Sequence, residues 1–387
     1  MTEWKECTIA DLGMVVGGAT PSTKDPENYD GGTIPWITPK DLSNYSDRYI
    51  SRGERNITEK GLNGCSTQLM PRHSVLFTSR APIGYVAIAE NEVCTNQGFK
   101  SVVPNEQTDY LFLYYLLKYN KDKIEGLGSG TTFKEVSGST MRGITVRVPE
   151  SIDAQRIIGR YLDSIDSKIE TNRRINENLL QQASAVFDKY YNASTNQQTF
   201  TSVISVLGGG TPKTGNPEFW DGSIPFFTPK DVGAPYTFQT EKYITESGLD
   251  HCNSRLYPQN TTFVTARGTV GKVSLAGTPM AMNQSCYALA SETIDPLLVY
   301  FYVLKAVSSL KHKASGAVFD AIVTRDFDTE TINILTDEDT QSALSVIAPT
   351  MEAIHNNVEE NMRLSKLRDA LLPKLMSGEL DVSELDL

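Results

Sequence analysis

The 387-residue sequence predicts an α+β protein. Two similar globules, each a twisted, mainly antiparallel sheet with helices, are joined by two long antiparallel coiled-coil helices in a pseudo-two-fold arrangement. Three observations predict this class. A set of short motifs occurs twice, about half a chain apart. Each copy is followed by a long stretch with seam residues at alternating steps of four and three. The two stretches carry Asn at matching seam positions.

Taken in order, the first globule covers residues 1–150. It opens with the turn Gly17-Gly18-Ala19-Thr20-Pro21 and continues through Ile34-Pro35-Trp36-Ile37-Thr38-Pro39-Lys40-Asp41. Apolar, β-branched and aromatic runs at Ser74–Ser79 and Tyr85–Ala89 read as strands, and Tyr110–Asn120 as a helix. A Gly-rich turn, Gly128-Ser129-Gly130, comes late.

Residues 151–192 form the first long helix. Ile158, Leu162, Ile165, Ile169, Asn172, Asn176, Leu179, Ala183, Val186 and Tyr190 make one stripe at coiled-coil spacing. Gly159 is its weak point. Roughly forty residues make a rod of about 60 Å.

Asn192–Gln198 read as a polar linker, and the second globule, 193–335, repeats the motifs: Gly208-Gly209-Gly210-Thr211-Pro212, Ile224-Pro225-Phe226-Phe227-Thr228-Pro229-Lys230-Asp231, Arg267-Gly268-Thr269-Val270-Gly271 for Arg80-Ala81-Pro82-Ile83-Gly84, and Asn283-Gln284 for Asn96-Gln97. Thr262–Thr265 and Val273–Ala276 read as strands, Pro296–His312 as a helix and Ser315-Gly316 as the late turn.

Residues 336–387 are the second long helix and tail, with the seam Ala343, Ile347, Thr350, Ile354, Asn357, Asn361, Leu364, Arg368, Leu371 and Leu375. Pro349 is expected to kink or interrupt it. Asn172, Asn176, Asn357 and Asn361 are expected to fix the register of the pair, because a buried Asn requires a specific partner.

Composition is that of an ordinary globular protein. No apolar run reaches the length of a membrane span, and the N-terminus lacks a signal-peptide layout. Five Cys without a C-x-x-C pair point to reduced thiols in a cytoplasm and away from a zinc site. The net charge of −11 counts against a nucleic-acid binder at first sight. By segment, however, it is −2 for 1–150, 0 for 151–192, −2 for 193–335 and −7 for 336–387. The acidity sits at the C-terminal end, which leaves each globule free to present a basic face. A doubled chain with approximate two-fold symmetry suits a DNA duplex with two half-sites.

The sequence resembles the specificity subunit of type I restriction–modification systems over nearly its whole length. The resemblance lies in the two Gly-Gly-x-Thr-Pro turns, the two Ile-Pro-…-Thr-Pro-Lys-Asp runs and Asn96-Gln97-Gly98. It continues in Ile165-Asp166-Ser167-Lys168-Ile169-Glu170, in Asn172-Arg173-Arg174-Ile175-Asn176-Glu177, and in the tail from Leu371 to Leu380. It implies two target recognition domains that read a split site in double-stranded DNA. The helices would act as a ruler and dock two adenine-N6 methyltransferase subunits, and through them the restriction and motor subunits. This chain would have no catalysis, cofactor or metal of its own; its partners would use S-adenosylmethionine, ATP and Mg. The sequence departs from the pattern at Val358-Glu359-Glu360-Asn361, where the basic Asn-Arg-Arg-Ile-Asn segment is not repeated. The Pro-rich approach to each helix is reduced to Val148-Pro149 and replaced by Leu335-Thr336-Asp337-Glu338.

Candidate DNA contacts follow from residue type. Lys40 and Lys230 sit on turns and suit a phosphate, or are solvated loop charges. Arg80 and Arg267 suit a guanine edge or a phosphate, or pack on a carboxylate. Lys272 is a further basic candidate. Asn96, Gln97, Asn283 and Gln284 could read adenine edges or satisfy a tight turn, and their identity in both copies favours the turn. Residues that differ between copies should set preference: Ser43, Asn44, Tyr45 and Ser46 against Ala234, Pro235, Tyr236 and Thr237. Asn216-Pro217-Glu218-Phe219 approaches a methyltransferase loop but lacks its second Pro and reads as a turn. Gly208-Gly209-Gly210 has no following Lys-Ser/Thr and is not a P-loop. The scattered His73, His251, His312 and His355 have no ligand spacing. The other reading is a two-domain protein-interaction scaffold without sequence-specific DNA binding, which steep salt dependence would exclude.

Overall fold

A computed structural model describes residues 2–130, 134–233, 235–313 and 321–381; Ala234 and the Ser315-Gly316 turn lie outside them. The chain divides into two compact units, Met1–Glu170 with Arg363–Leu387, and Thr171–Met362.

In the first unit, a five-stranded sheet has the order Gly13–Gly17, Lys100–Pro104, Val75–Ser79, Ile83–Ala89, Tyr49–Ile50. Neighbours are antiparallel except the last pair, which is parallel. A three-stranded sheet orders Arg55–Ile57, Ile34–Ile37 and Cys94–Thr95. Trp4–Thr8 and Thr145–Pro149 form a ribbon. The strand Val75–Ser79 is buried throughout because both its faces are covered. Val75 and Phe77 pack into the core around helix Tyr110–Tyr119, while Leu76 packs against Ile37, Met70 and Phe99. That explains its continuous apolar run in place of alternation. In the helix, Leu111 to Leu117 are all buried, and the Asp109 side chain caps it by accepting the Phe112 N–H at 2.9 Å.

The second unit repeats the topology strand for strand. Its five-stranded sheet runs Ser205–Gly208, Cys286–Ala290, Thr262–Thr265, Val273–Ala276, Tyr236–Thr237. Its three-stranded sheet orders Tyr243–Ile244, Trp220–Phe227 and Ala281–Met282, and its ribbon joins Gln197–Thr199 to Thr331–Asn333. The central strand again splits its side chains: Val264 faces the core of helix Pro296–Lys313, and Phe263 faces Phe227 and Tyr257.

The first long helix spans Ile152–Ala193 and the second Asp337–Ser377. In the first unit Ile158 and Leu162 share a core with Leu371, Leu372 and Leu375. In the second unit Ala183 and Phe187 share one with Ala343, Ile347, Met351 and Ile354. Two expectations are corrected at the seam. Phe187 and Met351 are fully buried where Val186 and Thr350 were expected, and both of those are only half-buried. A straight helix of 3.6 residues per turn drifts away from a strict seven-residue repeat. The expected interruption at Pro349 is also absent: the helix runs through it. Pro349 lies on the exposed face, where water can serve the carbonyl that its missing N–H leaves behind. The Thr350 hydroxyl donates to the Val346 carbonyl at 2.7 Å, supplying one side-chain donor on the same turn.

Gly159 is not a weakness. A Cβ there would stand 2.8 Å from the Phe112 nitrogen and 2.9 Å from the Leu111 Cβ. The glycine is what lets the long helix approach helix Tyr110–Tyr119.

Candidate nucleic-acid interface

The repeated motifs build one local device in each unit. In both copies of Thr-Pro-Lys-Asp the Asp side chain folds back on the Thr. Asp41 accepts the Thr38 N–H at 2.7 Å and hydroxyl at 2.6 Å, and Asp231 accepts those of Thr228 at 2.8 and 2.6 Å. The second carboxylate oxygen takes the Glu54 N–H in one unit and the Glu241 N–H in the other, both at 2.7 Å. The Asp is therefore spent on shaping the loop, and the Lys beside it is left on the tip. Lys40 pairs with Glu54 at 2.6 Å and Lys230 with Glu241 at 3.4 Å, each Lys side chain 79% exposed. Such exposed pairs are weak and exchange readily for another anion.

The Gly-Gly-x-Thr-Pro turn meets the Asn-Gln turn. A Cβ on Gly18 would lie 2.1 Å from the Asn96 carbonyl oxygen, and one on Gly209 2.2 Å from that of Asn283, so only glycine fits. Thr20 then donates its hydroxyl to Gln97, and Thr211 does the same to Gln284. Asn96 Oδ1 accepts the Gly98 N–H at 2.8 Å, and Asn283 Oδ1 the Ser285 N–H at 3.0 Å. Both Asn side chains thus have the turn-forming role.

Sequence reasoning missed an aromatic pair crossed by a cation. In the first unit Tyr29 and Trp36 meet edge-on with centroids 6.0 Å apart, and the Arg55 guanidinium lies 4.2 Å from the Tyr29 centroid. In the second unit Trp220 and Phe226 meet at 5.5 Å, with Lys242 5.5 Å from the Trp220 centroid. The residue types differ between copies, which hid the pattern. Aromatics ahead of Thr-Pro-Lys-Asp, with a cation two residues before the Ile of the strand that follows it (Arg55 before Ile57, Lys242 before Ile244), would have been the signal.

In the second unit these groups converge on a cleft of about 450 Å³ lined by Lys230, Lys242, Arg267, Asn283, Gln284, Trp220 and Phe226. Arg267 is exposed. In the first unit Arg80 reaches Glu135 at 3.5 Å, an acid it shares with Lys100. Ser43, Asn44 and Tyr45 lie on an exposed loop, with Asn44 at a φ of 67°. Tyr45 donates to the Tyr49 carbonyl and lines a separate cleft with Lys118 and Lys121.

Three expected contacts lie elsewhere. Tyr236 and Thr237, expected at a polar tip, are each 3% exposed. Tyr236 donates to Asn260 at 3.1 Å, and burial pushes its phenol well above the ordinary tyrosine range. Thr237 bonds Ser274 at 2.9 Å and the Asp231 carbonyl at 3.0 Å. They form the edge strand, which loop composition did not reveal. Lys272 is exposed but outside the cleft, next to Lys311, whose pKa is lowered by burial and by Lys272.

The register residues pair within the second unit. Asn172 donates to Asn361 at 2.9 Å and to Glu360 at 2.7 Å, and Asn357 donates to Asn176 at 2.8 Å. The crossed order makes the helices antiparallel there. The first unit has a different lock. Arg48, 5% exposed, donates to Glu170 at 2.9 and 3.0 Å, to Ser167 at 2.9 Å and to Asp163. Asp166 joins Tyr115 at 2.8 Å to Arg368 at 2.7 Å.

Among the described residues no cluster of three or more His, Cys, Asp or Glu is placed to hold a metal, and no helix is long and apolar enough to cross a membrane. The expected turn at Asn216 is present: its side chain caps Pro217–Phe219, as Asp25 caps Pro26–Asn28.

A duplicated module that repeats a tip lysine and a cation against an aromatic ring in each copy has the make-up of a recognition protein. A family model described as the type I restriction modification DNA specificity domain matches residues 1–181 and 196–361. The chain is 33% identical to the type I restriction enzyme MjaIX specificity subunit of Methanocaldococcus jannaschii, over 99% of this chain and 95% of the relative. It is 28% identical to the EcoR124I/EcoR124II specificity subunit of Escherichia coli, over 43% of this chain and 41% of the relative. The fold matches the crystal structure of the type I restriction–modification S subunit from M. genitalium, with a TM-score of 0.62 at 15% identity, covering 97% and 96% of the two chains. The chain belongs to the type I restriction–modification specificity family. It is the non-catalytic component that confers DNA target recognition on such a complex.

Proposed function

We propose that this chain reads a bipartite duplex target, with residues 1–150 and 193–335 as two target recognition domains and one half-site for each. The long helices, residues 151–192 and 336–387, would set the spacer and dock two adenine-N6 methyltransferase subunits, and through them the motor–nuclease subunits. S-adenosylmethionine, ATP and Mg would belong to those partners. The observation that carries this reading is the recurrence, in both units, of a tip lysine, an anchored Gln and a cation over an aromatic ring. Lys40, Arg55, Arg80 and Gln97 in one unit, and Lys230, Lys242, Arg267 and Gln284 in the other, are the proposed contact groups. Ser43, Asn44 and Tyr45 are proposed to add preference to the first half-site. Tyr236 and Thr237 are left out because they are buried.

The test is to express the chain with the methyltransferase subunits of its own system and map methylated adenines by single-molecule sequencing. A split motif with a fixed spacer is expected. Methylation without a common motif, or binding indifferent to salt between 50 and 200 mM, would favour the protein-interaction scaffold instead.

A further inference from the structure

We infer that Gln97 and Gln284, each held by the turn that its neighbouring Asn shapes, present their NH₂ donors outward, and that each grips a phosphate of the DNA backbone and reads no base; this rests on the DNA-recognition reading above. An amide that reads adenine must offer a donor and an acceptor side by side. Here each amide oxygen already accepts one bond within the turn, which fixes its direction. The Asn oxygens take the backbone N–H groups of Gly98 and Ser285 at 2.8 and 3.0 Å. The Gln oxygens take the hydroxyls of Thr20 and Thr211. With the oxygen of each Gln turned to its Thr, the NH₂ group is the end left to face outward, and Gln97 and Gln284 are both exposed.

The surroundings choose the oxygen those donors meet. In the second unit the cleft holding Gln284 brings together Lys230, Lys242 and Arg267. The carboxylate in its lining, Glu241, is paired with Lys230 at 3.4 Å. That excess of positive charge suits a phosphate. Guanine N7 and O6 are acceptors too, but the same dipeptide held by the same Thr in both units cannot tell two half-sites apart. Contacts that position a duplex without reading it are the ones that can be identical in both copies.

The experiment uses the full chain bound to its methyltransferase subunits. Affinities of wild type, Gln97→Ala, Gln284→Ala and Lys230→Ala are measured on a target duplex and on one with scrambled half-sites, across a salt series. A set of target duplexes with single methylphosphonates is measured alongside. Each Gln variant should bind both duplexes about tenfold more weakly, leaving the ratio between them and the salt slope unchanged. One methylphosphonate penalty seen with wild type should vanish in each Gln variant. Lys230→Ala should instead reduce the salt slope by about 0.9. Gln97→Glu and Gln284→Glu, which keep the acceptor for Thr, should bind at least as poorly as the Ala variants. A Gln variant that changes the preferred base at one position, or binds as well as wild type, overturns the inference while the DNA reading stands. Wild type that shows no preference for the target duplex overturns both.

Discussion

Removing the Arg48 guanidinium would leave Asp163 and Glu170 facing one another without a cation. Breaking a buried pair from one side costs about 3–5 kcal/mol, so Arg48→Ala should lower the urea midpoint of the chain sharply. Arg48→Met should be milder, because it refills the volume. Asp163, whose pKa burial raises against the pull of Arg48, would take up a proton more easily once the cation is gone. None of this was legible in the sequence: Arg48 lies in no repeated motif, and its partners are 115 to 122 residues away. The thiols divide by burial. Cys94 and Cys286 are buried, with pKa values pushed up to about 12 by desolvation. A thiol reagent applied to the native chain should leave both untouched and modify only Cys7, Cys65 and Cys252, which are partly exposed. Early modification of Cys94 or Cys286 would mean that the sheets open more readily than their packing implies.

At the scale of elements, the strands and helices of the two copies were legible because each motif occurs twice and can be checked against itself. The four-three rhythm located both long helices: the expected seams, from Ile158 to Tyr190 and from Ala343 to Leu375, fall within Ile152–Ala193 and Asp337–Ser377. It failed where it assumed a rigid seven-residue period, at Phe187 and Met351. Exposure was the other blind spot. Tyr236 and Thr237 have the composition of a loop tip, yet they pair with Val273–Ala276 as a buried edge strand. Gly159→Ala should destabilise the first unit by about 1–3 kcal/mol through overpacking, although alanine is the better helix former by about 1 kcal/mol. A rise in melting temperature would show that helix Tyr110–Tyr119 can yield. Replacing Asn176 and Asn357 together by Leu should raise stability to urea, since a polar pair in the seam costs stability relative to an apolar one. The same double variant should weaken the preference for one spacer, measured as a broader set of spacings in methylated DNA.

For the whole molecule, the proposal that the long helices set the spacer predicts what shortening them does. A matched deletion of one heptad from both long helices removes about 10.5 Å of helix, or about three base pairs. The methylated motif should then keep its half-sites and shorten its spacer by up to that amount. Half-sites that change while the spacer stays fixed would mean that the helices do not set the distance. A deletion in one helix alone is a different experiment, because it separates Asn172 from Asn361 or Asn176 from Asn357. Those amides interlock like the teeth of a ratchet. Sliding by a single residue strands the buried amides of Asn172 and Asn176, so intermediate settings are penalised and whole steps are favoured. Changes of gauge between relatives should therefore arrive as paired insertions, one in each helix, and a lone insertion should be found only where the amides have been replaced.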